Sequence, residues 1–303
     1  MEHKKILSVL ASVLAVACVI CAVILISVYK KNNYIPDEAV NNIVEILSSS
    51  GIEIDGDIIP TRRESGKVYI CGSDGYNENV TRLLLGEEIV STYATPDGEI
   101  ILTGSGGLLE FGKNFYFRYS SDGEKRTVPD AKDMSAYGKT ETAFRENIIK
   151  AVTDFLDSGS REFSLSRQIR VETKVERISE IGDTAYVVCT RTIDGIEITD
   201  NTVICTYEDG KVTGVEGGWC FLTGGESYSA QLSDILNILF NVKNEIGSAN
   251  GQKVRIESIE KCYSLYYYGD GAEFCLIPCW QITTDSAGEY IFNALDSTLY
   301  TKK

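Results

Sequence analysis

Histidine is almost absent from this 303-residue chain, in which the only imidazole is that of His3. The rest of the chain therefore cannot use a Ser-His-Asp or Cys-His catalytic arrangement or a histidine metal site. Positive charge is also scarce, because 29 lysines and arginines face 44 aspartates and glutamates, for a net charge of −15. A surface of this sign repels phosphate backbones, so we expect no nucleic-acid partner.

Motifs that could bind a phosphate or a cation are incomplete. The segment Gly104–Gly107 is rich in glycine, but it lacks the Lys-Ser/Thr pair of a phosphate-binding loop and instead indicates the end of a hairpin. Asp74, Asn77 and Asn79 offer oxygen ligands without the spacing or the closing glutamate of a calcium loop. We therefore expect no enzyme, no metal and no cofactor.

The cysteines do not have the spacing of a disulfide-rich scaffold. If Asp270-Gly271 forms a two-residue turn, Cys262 faces Cys279 across the last hairpin in a non-hydrogen-bonded pair. This register allows a disulfide between the two residues. However, Pro278 would then occupy a hydrogen-bonded position without a donor, which favours two buried thiols instead.

The N-terminal segment is strongly apolar. Ile6–Val28 contains no charged residue and would extend roughly 34 Å as a helix, enough to cross a bilayer. A cleaved signal peptide and a lipoprotein modified at Cys18 are the alternatives, but both normally have a shorter apolar core. The pattern predicts an uncleaved transmembrane anchor over residues 6–28, in contact with membrane lipid. The protein would then lie in the cell membrane, with residues 1–5 in the cytoplasm and the C-terminal region extracytoplasmic.

Small residues recur along the predicted anchor at steps of three and four. They are Ser8, Ala11, Ala15, Cys18 and Ala22. In lipid, a face of small side chains lets a second helix approach closely, which predicts a contact with a partner helix. Small residues are also common in any membrane span, so the composition has a second explanation.

Three segments have the apolar periodicity of helices, and each is followed by strands. The helices are expected from Pro36 to about Gly51, from Thr140 to Asp157 and from Ser229 to Ile246. The expected strands are Lys67–Cys71, Ile89–Ala94, Glu99–Thr103, Phe115–Tyr119, Tyr186–Arg191, Ile196–Thr199, Val203–Tyr207, Lys211–Glu216, Val254–Tyr268, Glu273–Thr283 and Glu289–Ala294.

Together these elements predict an α+β fold, in which the N-terminal transmembrane helix precedes successive units of one helix and an antiparallel sheet. A polar segment with Pro129 separates two expected extracytoplasmic α+β domains, residues 34–130 and residues 136–303. Trp280 lies in an apolar strand, where we expect it in the core and not in contact with a ligand.

The last third of the chain resembles a known family. The segments Leu276–Ile282, Thr284-Asp285 and Tyr290–Ala294 are similar to the closing motif of the YycH/YycI-type regulators, and most similar to the YycI member. In that family a Pro-Ala-Trp strand, a turn and a strand ending in Asn-Ala follow one another, and Cys279 here replaces the alanine. The resemblance covers mainly residues 136–303.

The resemblance implies a non-enzymatic regulator in a two-component system. Its partner would be a membrane sensor histidine kinase that controls cell-wall metabolism, with a homologous YycH-type protein as a second partner. Contact would be made through the transmembrane helix and the extracytoplasmic region. The alternative function is an extracytoplasmic binding module for a cell-wall or peptide ligand that has no kinase partner.

Overall fold

The structure is a computed structural model. It describes residues 18–25, 27–30, 32–63, 65–72, 76–86, 88–95, 100–112, 115–123, 128–129, 142–162, 171–219, 227–246, 253–268, 273–286 and 288–302. The helices that have defined bounds are α1 (Asp37–Ser49), α2 (Tyr76–Leu85), α3 (Thr142–Glu162) and α4 (Ile235–Ile246).

Strands make up most of the remaining described residues. They are β1 (Ile52–Glu53), β2 (Ser65–Gly72), β3 (Ile89–Ala94), β4 (Ile100–Gly104), β5 (Gly107–Phe111), β6 (Tyr116–Ser120), β7 (Val171–Ile181), β8 (Thr184–Ile193), β9 (Ile196–Glu208), β10 (Lys211–Gly218), β11 (Ser227–Gln231), β12 (Val254–Tyr268), β13 (Glu273–Thr284), β14 (Glu289–Asn293) and β15 (Leu299–Lys302).

The chain divides into two compact units. The first unit comprises Met1–Gly66, Ala230–Glu260 and Trp280–Lys303, and the second comprises Lys67–Ser229 and Lys261–Cys279. Each unit has its own apolar core.

Helix α1 of the first unit forms where the sequence predicts it. Pro36 precedes the helix, and Asp37 and Glu38 place negative charge in its first turn, where the helix dipole favours it. Its buried side chains follow one face, and they are Val40, Ile43 and Leu47. The helix ends at Ser49, and Gly51 follows shortly after it with a φ of 80°, which suits a residue without a side chain.

Helix α4 and short strands complete the first unit. Strand β1 pairs in parallel with the beginning of β12, where Ile52 faces Val254. Strand β14 pairs with β13 and, antiparallel, with β15, where Tyr290 faces Lys302. The buried side chains of α1 and α4 pack in one cluster with Trp280 and neighbouring strand residues.

The second unit is built on one sheet. Its strands lie in the order β2-β13-β12-β9-β10-β6-β5-β4-β3, and β8 and β7 are added through β9. Helix α3 contacts β7, β9 and β10. Its side chains Ile148, Val152 and Leu156 are buried in the core.

Two of the predicted hairpin turns are confirmed in this unit. Asp194-Gly195 joins β8 to β9 with φ values of 50° and 81°, and Asp209-Gly210 joins β9 to β10 with φ values of 49° and 83°. Positive φ at both central positions is the geometry of a type I′ turn, which aspartate followed by glycine favours.

The predicted fold class is wrong in the arrangement of its strands. The sheet is mixed, because β12 runs parallel to β1 at Ile52 and parallel to β9 at Glu197. Strands that are distant in the sequence also pair, since β2 is antiparallel to β13. Successive units, each with its own antiparallel sheet, therefore do not describe this fold.

The predicted transmembrane anchor Ile6–Val28 must also be corrected. Among the residues that the structure describes, no helix is long and apolar enough to cross a membrane. The predicted single-pass location in the cell membrane, with a cytoplasmic N-terminus and an extracytoplasmic C-terminal domain, depended on this anchor and is withdrawn.

Several local predictions differ from the structure. Helix α4 begins at Ile235, and residues 227–231, expected to lie partly in that helix, form β11. Helix α3 continues to Glu162, whereas the sequence predicted its end at Asp157. Phe144, near the beginning of this helix, is 48% exposed. By contrast, Cys262 and Cys279 are buried thiols that no disulfide joins, which is the alternative that the sequence favoured.

Candidate functional site

A pocket of about 160 Å³ lies in the first unit. One part of its lining is apolar and consists of Ile35, Pro60, Leu232, Ile235 and Trp280. The other part is polar and consists of Arg62, Arg63, Gln231, Ser233 and Asp234. Pockets that bind small molecules typically combine an apolar wall with a few polar groups in this way.

Backbone hydrogen bonds hold the two arginines in place. Tyr34 and Arg62 form an antiparallel bridge, and the N–H of Ile35 donates to the carbonyl of Thr61 at 2.7 Å. The N–H of Arg63 donates to the carbonyl of Asn33, also at 2.7 Å. The chain segments before α1 and before β2 therefore run side by side, and this pairing fixes one wall of the pocket.

The opposite wall is the chain that enters α4. The Asp234 carboxylate accepts a hydrogen bond from the Leu236 N–H at 3.1 Å, as a helix N-cap residue does. The N–H of Ser233 donates to the carbonyl of Ala294 at 2.6 Å, and its hydroxyl bonds that of Ser297. The same Ser297 accepts a hydrogen bond at its carbonyl from the Asn241 side chain at 2.7 Å. This wall is therefore anchored to both α4 and the segment after β14.

Trp280 of β13 belongs to both the core and the pocket. The side chain is only 5% exposed and packs in the apolar cluster of the first unit, which confirms its predicted burial. It also lines the pocket, which the sequence did not predict.

The charge of the pocket is opposite to that of the chain. Arg63 forms an ion pair with Asp234, with 3.3 Å between the guanidinium and carboxylate atoms. Arg62 forms no ion pair or hydrogen bond through its side chain with any residue that the structure describes. Two positive charges and one negative charge leave the lining with a net charge of about +1, in a chain whose net charge is −15.

A second polar cluster lies in the second unit, across β5, β6 and β10. Arg118 bonds Glu110 at 2.8 Å and Glu216 at 2.7 Å, and both acids are its register neighbours. Tyr116 donates its hydroxyl proton to Glu216 at 2.5 Å. Its hydrogen bond with Glu216 raises the pKa of Arg118 above its ordinary value, so the guanidinium stays charged. We interpret this cluster as a structural ion-pair network, since the cation occupies the space between the two carboxylates.

The structure describes two of the five residues that were predicted to contact a partner helix. Of the residues predicted to contact a partner helix, Cys18 and Ala22 are exposed, whereas Ser8, Ala11 and Ala15 lie outside the described residues. Gly104 pairs with Gly107 at the end of the β4–β5 hairpin, as predicted. Within the described ranges, no three His, Cys, Asp or Glu side chains are grouped as metal ligands.

The pocket residues were missed by sequence reasoning. A signal was available, because Arg62-Arg63 is a pair of adjacent arginines in a chain that has few cations. Asp234 was likewise visible as an N-cap residue directly before the apolar positions of α4. Nothing in the sequence indicates that these two segments meet, since they are far apart in the chain.

Comparison with known proteins gives little to guide an assignment of function. No protein family model matches the chain, and no curated protein is similar to it. A crystal structure of an uncharacterized protein from Eubacterium rectale is similar, with 12% sequence identity and a TM-score of 0.40. The match covers 83% of this chain and 90% of the other.

Proposed function

We propose that this protein is a non-enzymatic regulator of a sensor histidine kinase, in a two-component system that controls cell-wall metabolism. It acts through direct protein contact. The proposal comes from the resemblance of Leu276–Ala294 to the YycI-type regulators. It needs no chemistry from the chain, which agrees with a sequence whose only histidine is His3.

The observation that supports it best is the place of the similar residues in the fold. The segment that resembles the family strand lies in β13, which ends at Thr284. A bend at Asp285-Ser286 follows, and β14 then ends at Asn293, directly before Ala294. This order of strand, turn and strand is the one that the family pattern requires.

The burial of these residues indicates what kind of similarity this is. Leu276, Ile277, Cys279, Ile282, Ile291 and Phe292 are all at most 1% exposed. Side chains buried in this way specify a core, so the similarity concerns the fold and not a ligand site. The surface that touches the kinase must lie elsewhere on the chain.

Co-purification tests the proposal. The tagged full-length chain is expressed in its source organism, and the proteins that remain bound to it after a salt wash are identified. We expect a sensor histidine kinase in about stoichiometric amount. An unrelated tagged protein of similar net charge is the control for non-specific electrostatic binding. Recovery of the chain without any kinase, or equal recovery of the kinase with the control, would refute the proposal.

A further inference from the structure

We propose that the pocket beside Trp280 binds a carboxylate that carries an apolar group of the size of one side chain. This inference goes beyond the proposed function, because it assigns a small-ligand site to the first unit and needs no kinase. It is drawn from the shape, lining and charge of the pocket.

The charge of the lining selects an anion. Both oxygens of the Asp234 carboxylate already have partners, the Leu236 N–H and the Arg63 guanidinium. The side chain of Arg62 is exposed and forms no ion pair or hydrogen bond with any residue in the described part of the chain. A ligand that brings a negative charge would therefore complete the ion pairing, whereas an amine would add to the positive charge.

Arginine matches the carboxylate in geometry as well as in charge. Its planar guanidinium can donate two parallel hydrogen bonds to the two oxygens of a carboxylate. Phosphate could form the same bonds, but it would leave the apolar wall of the pocket without a partner. The lining therefore favours an anion with an apolar body.

The volume limits the size of that body. A cavity of about 150 Å³ lined by apolar side chains is large enough to hold a benzene ring. The pocket measures about 160 Å³, and its lining includes Trp280 and Ile235. One ring or one branched aliphatic group fills this space, and a larger ligand would extend into solvent.

Two sources present this chemistry. One is a free aromatic or aliphatic acid. The other is the last residue of a peptide, whose carboxylate and side chain are attached to the same carbon. Both would place the anion near Arg62 and the apolar group against Trp280. The same site would bind a ligand from either source. The experiment below therefore includes a probe for each.

Calorimetric titration of the full-length protein tests the site, with N-acetylphenylalanine as the probe. We expect saturable binding with a Kd below about 1 mM, which is an ordinary affinity for a ligand of this size. N-acetylphenylalanine amide, which lacks the carboxylate, should bind at least tenfold more weakly. Acetate and inorganic phosphate, which lack the apolar group, should also bind at least tenfold more weakly than N-acetylphenylalanine. Equal binding of the amide, or tighter binding of phosphate, would overturn the proposal.

Two arginine variants test whether the ligand binds in the pocket. Arg62→Gln should weaken the binding of N-acetylphenylalanine at least tenfold. Arg255→Gln should leave this affinity unchanged, because Arg255 is an exposed arginine of the same unit that lies outside the pocket. The chain has two tryptophans, so their indole N–H signals can be followed separately by NMR. The ligand should shift the signal of Trp280 and leave that of Trp219 in place. Loss of affinity in both arginine variants, or in neither, would refute the site.

A pentapeptide ending in phenylalanine separates the two sources. If the peptide binds at least as tightly as N-acetylphenylalanine and its C-terminal amide does not, the pocket accepts a chain end. If only the free acid binds, the pocket is a small-molecule site of the same chemistry. If no carboxylate probe binds, the proposal is wrong.

Discussion

The guanidinium of Arg63 lies 3.3 Å from the carboxylate of Asp234, and this ion pair joins two distant parts of the chain at one pocket. Asp234 also caps α4 through its other oxygen. The two side chains are 47% and 25% exposed, so the pair is screened by solvent and contributes little to stability. Its main effect is to balance the charge of Asp234, which leaves Arg62 as the cation of the proposed carboxylate site.

Trp280 should be essential for the stability of the first unit. Replacing it with alanine removes a large side chain that is 5% exposed and leaves a cavity that the surrounding residues cannot fill. We expect Trp280→Ala to lower the free energy of unfolding by about 3–5 kcal/mol, measured by urea denaturation. Phe240→Ala is the matched control, because Phe240 in α4 is 47% exposed and its loss should cost less than about 0.5 kcal/mol. Equal midpoints for the two variants would contradict the placement of Trp280 in the core.

The ion-pair network around Arg118 should stabilise the second unit. Its removal leaves Glu110, whose side chain is 9% exposed, without the guanidinium that balances its charge. We expect Arg118→Met to lower the free energy of unfolding by about 3 kcal/mol, since an uncompensated buried charge is costly.

The control for Arg118 is Lys253, which forms an ion pair with Glu53 at the same distance of 2.8 Å. Both of these side chains are largely exposed, at 79% and 52%. Lys253→Met should therefore leave the urea midpoint unchanged. If Arg118→Met also left the urea midpoint unchanged, the network would contribute nothing to stability.

Stability should fall in alkaline solution as unfolded tyrosines ionise. Burial, with the hydrogen bond to Glu216 as a second cause, raises the pKa of Tyr116 to about 12. Burial also raises the pKa of Tyr119 and of Tyr263. Below about pH 10 these tyrosines are protonated in both states, so their contribution to stability is constant. Between the unfolded and the folded pKa the unfolded state alone loses protons, and the free energy of unfolding decreases with pH.

Denaturation measured from pH 8 to pH 12 tests this expectation. The decline should begin near pH 10, the ordinary pKa of tyrosine, and it should be smaller in Tyr116→Phe than in the parent. A parent and a variant with identical pH profiles would show that Tyr116 titrates normally.

Local structure was predictable where one short segment carries the whole signal. The bounds of β12 and β3 agree with the sequence prediction. Strand β12 begins with alternating apolar and charged residues, β3 is a run of mostly apolar and β-branched residues, and turn residues follow each strand. The turns at Asp194-Gly195 and Asp209-Gly210 have the same local origin. Strand β11 was missed because Ser227–Gln231 is short and mostly exposed, and it contains no Val, Ile or Leu.

Long-range pairing could not be predicted in this way. Strand β12 pairs in parallel with β9, where Cys262 faces Glu197, and β2 pairs with β13, where Ile70 faces Cys275. Periodicity reports which face of a strand is buried, but it carries no information about which other strand lies beside it. The mixed sheet and the pocket both depend on such pairings, so both escaped the sequence analysis.

If the protein regulates a sensor histidine kinase by contact, as we propose, the rate of autophosphorylation of that kinase must depend on the protein. Each purified sensor kinase of the source organism is assayed with increasing amounts of the full-length protein. We expect the rate of one kinase to change and to saturate at about one chain per kinase subunit, whereas heat-denatured protein should have no effect. Unchanged rates for all kinases at a large excess of the protein would refute the proposed regulation.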